Sequence, residues 1–330
     1  MQIRDDKFYM PRFINIEVTN NCNISCIICP HGHSLVKNRG YMDVRIFKKI
    51  IDDLASCPDY SPERINLCGV GESLLHPAFI EMAKYGKEAG FVQMLTTNAY
   101  FLSATSALEI IEEDCLDVIE ISFDKGKDSF EKFKGGKIYE TIKKNIDFFI
   151  ERNKKIDVRI NFLQYDMHLA SLGVPQELKD SFKGDDVTFI SGGVSSWAGK
   201  LDMSFIGEEA RKVMATKLRD DTAGYKCHSG ADMGMFSWDG SVRACYMDYN
   251  NEYVFGNVKD QSVLEIFLSK ERREFVDTIA DGKHTLLPLC KDCTAPYTIQ
   301  DREIVLETKT ERIRTKGSQW ENMKKKQPIA

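Results

Sequence analysis

The chain has 330 residues, 42% of them hydrophobic and 29% charged, with a net charge of −5. That length exceeds one typical domain and can bury a sizeable core, while the mild negative charge gives no footing for a nucleic-acid partner. No apolar run is long enough to span a bilayer and Met1 to Lys7 hold no apolar signal core, so the expectation is a cytoplasmic protein with no membrane partner.

From about residue 13 to 191 the chain alternates between two periodicities. Strand candidates are Phe13–Val18, Arg64–Cys68, Phe91–Thr96, Val118–Ser122, Asp157–Phe162 and Val187–Ile190. Between them, apolar residues recur at spacings of three and four in Val44–Ala55, Pro77–Ala89, Ala104–Glu113 and Ile138–Arg152, which predicts helices. Strand-helix repetition implies a parallel sheet covered by helices, with ligands at the carboxyl ends of the strands. Periodicity alone does not separate a partial barrel from an open doubly wound sheet. Residues 200–226 read as a connecting segment and 227–293 as a smaller cysteine-bearing module. Residues 294–330 read as a charged, partly helical extension.

Ten cysteines are many for a chain in a reducing compartment, where clustered ones point to metal or redox chemistry. Cys22, Cys26 and Cys29 follow the first strand with C-x3-C-x2-C spacing. Three thiolates on one loop can hold three irons of a [4Fe–4S] cluster and leave the fourth open to a substrate. Zinc sites favour C-x2-C pairs that sum to four ligands. The triplet, with the motifs that follow it, resembles the radical S-adenosylmethionine (SAM) superfamily. The resemblance implies a partial (β/α)6 barrel over residues 1–199. It also implies SAM chelated at the open iron and a 5′-deoxyadenosyl radical that abstracts hydrogen from a substrate.

Other elements of the resemblance follow the strands. Gly71 and Glu72 stand in Gly69-Val70-Gly71-Glu72, similar to the family's Gly-Gly-Glu motif, which holds the SAM amino group; Val70 replaces the first glycine. Thr97-Asn98-Ala99 resembles the Thr-Asn-Gly element, which implicates Asn98. Ser122-Phe123-Asp124 resembles a Ser-x-Asp element, which implicates Ser122 as a SAM contact. The family's aromatic before the third cysteine is Ile28 here, so the adenine contact there is expected from backbone. Ordinary alternatives stand beside these: a Gly-rich turn, a capping Asn98 and a helix-capping Asp124. His31 and His33 read as outer or surface residues, since a histidine on the fourth iron would displace SAM.

Cys227 and Cys245 flank Trp238-Asp239-Gly240, a hairpin-turn signal expected to bring them together on paired strands. Cys290 and Cys293 form a C-x2-C pair. The combination resembles the SPASM/twitch extension of the same superfamily. A full SPASM module carries seven cysteines; here none follows Cys293. The twitch form is therefore implied, a β-hairpin plus helix with one auxiliary [4Fe–4S] cluster on Cys227, Cys245, Cys290 and Cys293. Four ligands make a closed cluster suited to electron transfer or structure. The spacing alone also permits zinc.

The leading expectation is dehydrogenation of a small polar substrate such as a sugar, amino sugar or cyclitol. The auxiliary cluster would be the electron acceptor and a flavodoxin or ferredoxin the reductant. Asp124 and Arg159 are candidates for the proton-handling group, and Asn161 for a side chain inside the barrel. The alternatives are an epimerase using Cys68 as hydrogen donor, a peptide maturase, and a non-enzymatic metal-binding scaffold. Only 21 residues precede Cys22, short of a leader-binding domain, which leans away from the maturase. Trp197, in a loop after the sixth strand, reads as either a pocket wall or a packing residue.

Overall fold

The computed structural model describes residues 6–124, 126–164, 174–182, 184–206, 208, 227–294, 303–307 and 312–316. Six strands run parallel in chain order: β1 (Phe13–Ile16), β2 (Arg64–Leu67), β3 (Gln93–Thr97), β4 (Val118–Ser122), β5 (Asp157–Gln164) and β6 (Thr188–Gly193). The crossovers carry α1 (Val44–Ala55), α2 (Phe79–Glu88), α3 (Ala104–Glu112), α4 (Lys127–Lys134), α5 (Tyr139–Arg152) and α6 (Gln176–Ser181). This is the expected α/β class with a six-stranded parallel core.

Local chemistry accounts for the elements. In α1 the Asp43 carboxylate accepts the Arg45 N–H at 2.8 Å and caps the helix. Phe47, Ile50, Ile51 and Leu54, spaced by three and four, are all fully buried against the sheet. In β2, β4 and β5 the apolar residues Ile65, Leu67, Ile119, Ile121, Ile160 and Phe162 face the helices and are buried. Their neighbours Arg64, Asn66, Glu120, Ser122, Arg159 and Asn161 face the other way and keep partial exposure. A strand's two faces alternate, so this second set lines the concave side of the sheet.

The C-terminal module is part of the same sheet. After α7 (His228–Asp232), β7 (Met233–Phe236) pairs in parallel with β1. Strands β8 (Ser241–Arg243) and β9 (Val254–Asn257) continue antiparallel, followed by α8 (Val263–Phe267) and α9 (Lys270–Ala280). The β7–β8 turn falls at the expected Trp238-Asp239-Gly240, where Gly240 takes φ +87°. Residues 294–330, expected to be partly helical, instead contribute β10 (Glu303–Glu307) and β11 (Arg312–Lys316) among the described residues. The eleven-stranded order is β11-β10-β6-β5-β4-β3-β2-β1-β7-β8-β9. Most of the expected connecting segment, 207 and 209–226, lies outside the described residues.

One buried ion pair joins the module to the core. Arg243 Nη2 donates to Glu17 Oε2 at 2.9 Å, each side chain 1% exposed. The same carboxylate oxygen accepts the Val70 N–H at 2.9 Å. Removing one partner leaves a buried, unpaired charge, so Glu17→Gln is expected to cost about 3–5 kcal/mol in urea denaturation. Glu17→Gln with Arg243→Met is expected to recover much of that loss, because the introduced amide oxygen still accepts from Val70 and no unpaired cation remains.

Candidate active site

The turn after β1 carries Cys22, Cys26 and Cys29 at the carboxyl end of the sheet. Cys29 N–H donates to the Cys26 carbonyl at 3.0 Å, which closes the loop on itself. Burial pushes the Cys22 and Cys29 thiols up to about 12, and each of the two also feels the charge of Cys26. The three thiols thus lie on one loop within electrostatic reach of one another.

Around this loop the strand ends converge. Gly71 packs so tightly that a Cβ would lie 2.2 Å from the Thr19 carbonyl oxygen, which explains the glycine. Val70, at the departed glycine position, is buried in an apolar cluster with Trp197 and Tyr249. Glu72 is 2% exposed, and its oxygens accept from Thr97 Oγ1 at 2.8 Å, Asn98 N at 2.8 Å and Leu74 N at 3.2 Å. Burial raises the Glu72 pKa, and those donors offset part of the rise. Asn98 Nδ2 donates to Asn23 Oδ1 at 3.0 Å and lies 4.0 Å from Cys22 Sγ. Ala99 takes φ +60°, a left-handed position that favours the glycine of the related element.

Some expected residues have other occupations. Asp124 is 1% exposed; Oδ1 accepts the Leu163 N–H at 2.9 Å and Oδ2 lies 3.9 Å from Lys134 Nζ. Asp124 thus lies buried between β5 and the end of α4. Arg159 Nε donates at 2.7 Å to Asp157, two residues back toward the amino end of β5. The Arg159 guanidinium is thus paired within its own strand. The Ile28 carbonyl accepts from Trp197 Nε1 at 2.8 Å. Cys68 is 8% exposed, its Sγ 3.4 Å from Asn15 Oδ1, and burial pushes the thiol up to about 12. His31 is buried and His33 exposed, its Nε2 2.7 Å from the Ile27 carbonyl.

Lys134 is the residue that sequence reasoning missed. It ends α4, is only 4% exposed and lies in the field of Asp124, Cys26, Cys22 and Cys29. Burial lowers its pKa, but those groups outweigh it and the net shift is upward. The backbone explains the placement: Ile27 N–H donates to the Phe133 carbonyl at 3.0 Å, which fixes the end of α4 on the cysteine loop.

The second cysteine set forms from three segments. Cys227 precedes α7 and Cys245 follows β8, so neither lies on a strand as the hairpin reading expected. Cys290 and Cys293 close one turn, with Cys293 N–H donating to the Cys290 carbonyl at 3.1 Å. Cys245 is buried in an apolar cluster against which Cys227 and Cys290 pack, and burial raises its thiol, with Cys227, Cys293 and Cys290 adding to the rise. Among the described residues no three His, Cys, Asp or Glu side chains close around one point as a single ion requires. Three loop thiols beside a buried cation, and four further cysteines brought together around one packed cluster, fit iron–sulfur ligation.

The two sets are bridged by aromatic rings. Tyr246, next to Cys245, reaches the Gly69 carbonyl at 3.4 Å and packs on Trp197 with centroids 5.3 Å apart. Trp197 in turn holds Ile28, next to Cys29.

The radical SAM superfamily model matches residues 16–166, and the SPASM iron–sulfur cluster-binding domain model matches residues 227–294. The chain belongs to the radical SAM superfamily. As such it is a SAM-dependent iron–sulfur enzyme with a SPASM-type C-terminal segment. Among curated relatives, it is 26% identical over 325 residues to a tungsten-containing aldehyde ferredoxin oxidoreductase cofactor-modifying protein of Pyrococcus furiosus, covering 86% of this chain and 87% of that one. It is 22% identical over 288 residues to an S-adenosyl-L-methionine-dependent 2-deoxy-scyllo-inosamine dehydrogenase of Niallia circulans, covering 85% and 91%. In fold it resembles Streptococcus suis SuiB bound to precursor peptide SuiA, with a TM-score of 0.63 at 13% identity, covering 89% and 72%. No described helix is long and apolar enough to cross a membrane.

Lys134→Met would take the cation away from the buried Asp124 carboxylate. The expected cost is about 3–5 kcal/mol of stability, read by urea denaturation of the cluster-free protein. Lys134→Arg is expected to retain more of the stability.

Proposed function

We propose that this enzyme dehydrogenates a carbinol of a small polar substrate, a sugar, amino sugar or cyclitol, and uses its auxiliary cluster as electron acceptor. The observation that carries the reading is the gathering of Cys227, Cys245 and Cys290 in one packed cluster, with Cys293 bonded through its backbone to Cys290, joined to the SAM loop through Tyr246 and Trp197. Four thiolates leave no open iron for substrate, which suits such a cluster to accepting electrons. Dehydrogenation needs that acceptor; epimerisation does not. The Niallia circulans relative, a dehydrogenase of an amino-cyclitol, supports the same class.

In this reading Cys22, Cys26 and Cys29 hold the first [4Fe–4S] cluster, and Gly71, Glu72, Asn98, Ser122 and the Ile28 backbone hold SAM. When bound, SAM and the first cluster would supply abstraction of the carbinol hydrogen atom, and a cluster held by Cys227, Cys245, Cys290 and Cys293 would supply the electron acceptor. The protein's own part is binding and exclusion of water. Gly71 lets backbone approach the ligand, and Glu72 offers a fixed carboxylate to an ammonium. Trp197, Val70 and Tyr249 form a dry wall beside the cysteine loop.

A second reading has one observation in its favour. Cys68 lies beside the concave face as a neutral thiol, the form a hydrogen-atom donor needs. That favours an epimerase.

Anaerobic turnover of the iron-reconstituted, reduced enzyme separates the readings. With an amino-cyclitol or amino sugar, 5′-deoxyadenosine is expected together with a product lighter by two hydrogens. Cys293→Ala is expected to keep SAM cleavage and lose most of the oxidised product, while Cys68→Ala keeps both. An isobaric product that disappears in Cys68→Ala would establish the epimerase. SAM cleavage stimulated only by a peptide would sink both.

A further inference from the structure

The concave face holds two kinds of polar pair. Asn66 and Thr96 satisfy each other: Asn66 Nδ2 donates to Thr96 Oγ1 at 3.0 Å, and the hydroxyl lies 3.3 Å from Asn66 Oδ1. Glu120 and Asn161 do not. Asn161 Nδ2 donates to Glu120 Oε1 at 2.7 Å, and no described residue pairs with Glu120 Oε2 or the Ser122 hydroxyl. Asn161 Oδ1 is buried with no hydrogen-bond partner. The amide orientation is set by chemistry, since only its NH2 can face a carboxylate, so Oδ1 must point elsewhere. A buried acceptor without a donor is a costly state that native proteins keep for a reason.

Register places this pair relative to the SAM loop. Ser122 stands beside Asn161 across β4 and β5, and Glu120 stands beside Thr96 across β3 and β4. Glu120 is one same-face step, about 7 Å along the strand, deeper than Ser122. At the amino end Arg64 stacks on Phe13, 4.5 Å from the ring centroid, and makes no hydrogen bond to a described residue. Its charge and that of Glu120 favour each other, and Arg159, the neighbour of Glu120 on β5, is offset by Asp157, so two cations here face two carboxylates.

We propose that Glu120 Oε2 and Asn161 Oδ1 receive two hydrogen bonds from neighbouring donor groups of the substrate, and so select a ring bearing amino and hydroxyl groups over an anionic one. The inference rests on the small-polar-substrate reading above and names its substrate class as an amino-polyol. An ionised carboxylate only accepts, and the one donor of the Asn161 amide that meets it is already spent. Hydroxyl and ammonium groups supply the missing donors. A sugar carboxylate or phosphate at the same place would set like charge against Glu120 and leave Oδ1 unpaired, so it is rejected.

The test is calorimetric binding to the cluster-reconstituted, SAM-loaded enzyme. The probes are 2-deoxy-scyllo-inosamine, glucosamine, glucuronate and glucose 6-phosphate. The amino probes are expected to bind at least about tenfold tighter than the anionic ones. Glu120→Gln should weaken the amino probes by about 10- to 100-fold, the range of a charge-assisted hydrogen bond, with SAM affinity unchanged. Asn161→Ala should weaken them less and serves if Glu120→Gln fails to fold. Wild-type affinity in both variants, or tighter binding of the anionic probes, would overturn the inference. If those variants also still dehydrogenate an amino-polyol, the proposed reaction survives without it. If the wild type binds no probe and cleaves SAM only with a peptide, the proposed reaction falls and the inference falls with it.

Discussion

The carboxylate of Glu17 is the point on which the architecture turns. It sits just past β1, five residues before the first cluster cysteine, and is almost wholly removed from water. Its buried partner Arg243 ends β8, two residues before Cys245. Its other contact is the backbone of Val70, in the loop after β2. Gly69 has no side chain because a Cβ would strike Glu17 at 2.2 Å. One ion pair therefore sets the cysteine loop, the glycine-acid loop and the auxiliary hairpin in a common frame. Buried pairs of this kind add little net stability over an apolar substitute. Their value here is geometric, since a charge that has a single buried partner fixes how the segments meet.

The loop after β6 makes a second clamp. Trp197, Ala198 and Gly199 take φ values of +48°, +59° and +78° in succession, a run that L-residues avoid. Ser196 holds the run in place: its N–H donates to Thr294 Oγ1 at 2.8 Å, and its hydroxyl accepts the Thr294 N–H at 3.1 Å. Thr294 follows Cys293 directly. The strained turn thus delivers an indole to the first cysteine loop while anchored to the second cysteine set. These contacts pack the two cysteine sets against each other through buried side chains.

Much of this was legible beforehand because it depends on local pattern. Helix α1 and strand β4 fall at their expected limits, and the cysteine spacings identify the chemistry. What escaped depends on partners distant in sequence. Lys134 lies in Lys127–Lys134, a segment so charged that it reads as a solvated stretch; its burial follows from the docking of α4 on the cysteine loop. Glu17 and Asn15 alternate with apolar neighbours, which signals a polar inner face but not a cation waiting on β8. Asp124 and Arg159 each have a partner, Lys134 on α4 and Asp157 on β5, that no spacing reveals. The pairing of β7 with β1 was invisible for the same reason, since four-residue strands carry no mark of which edge they will join.

That last pairing bears on how the chain folds. Strand β1 is made before the others and ends with parallel neighbours on both sides, β2 early and β7 only after most of the chain has been synthesised. Until Met233–Phe236 emerges, one edge of an entirely buried strand stands open, with its backbone donors and acceptors unpaired. Contacts of such long sequence separation form slowly, because the closure entropy must be met before they contribute. The nascent barrel therefore has a sticky flank for the duration, and its shielding during synthesis is a requirement imposed by topology rather than by catalysis.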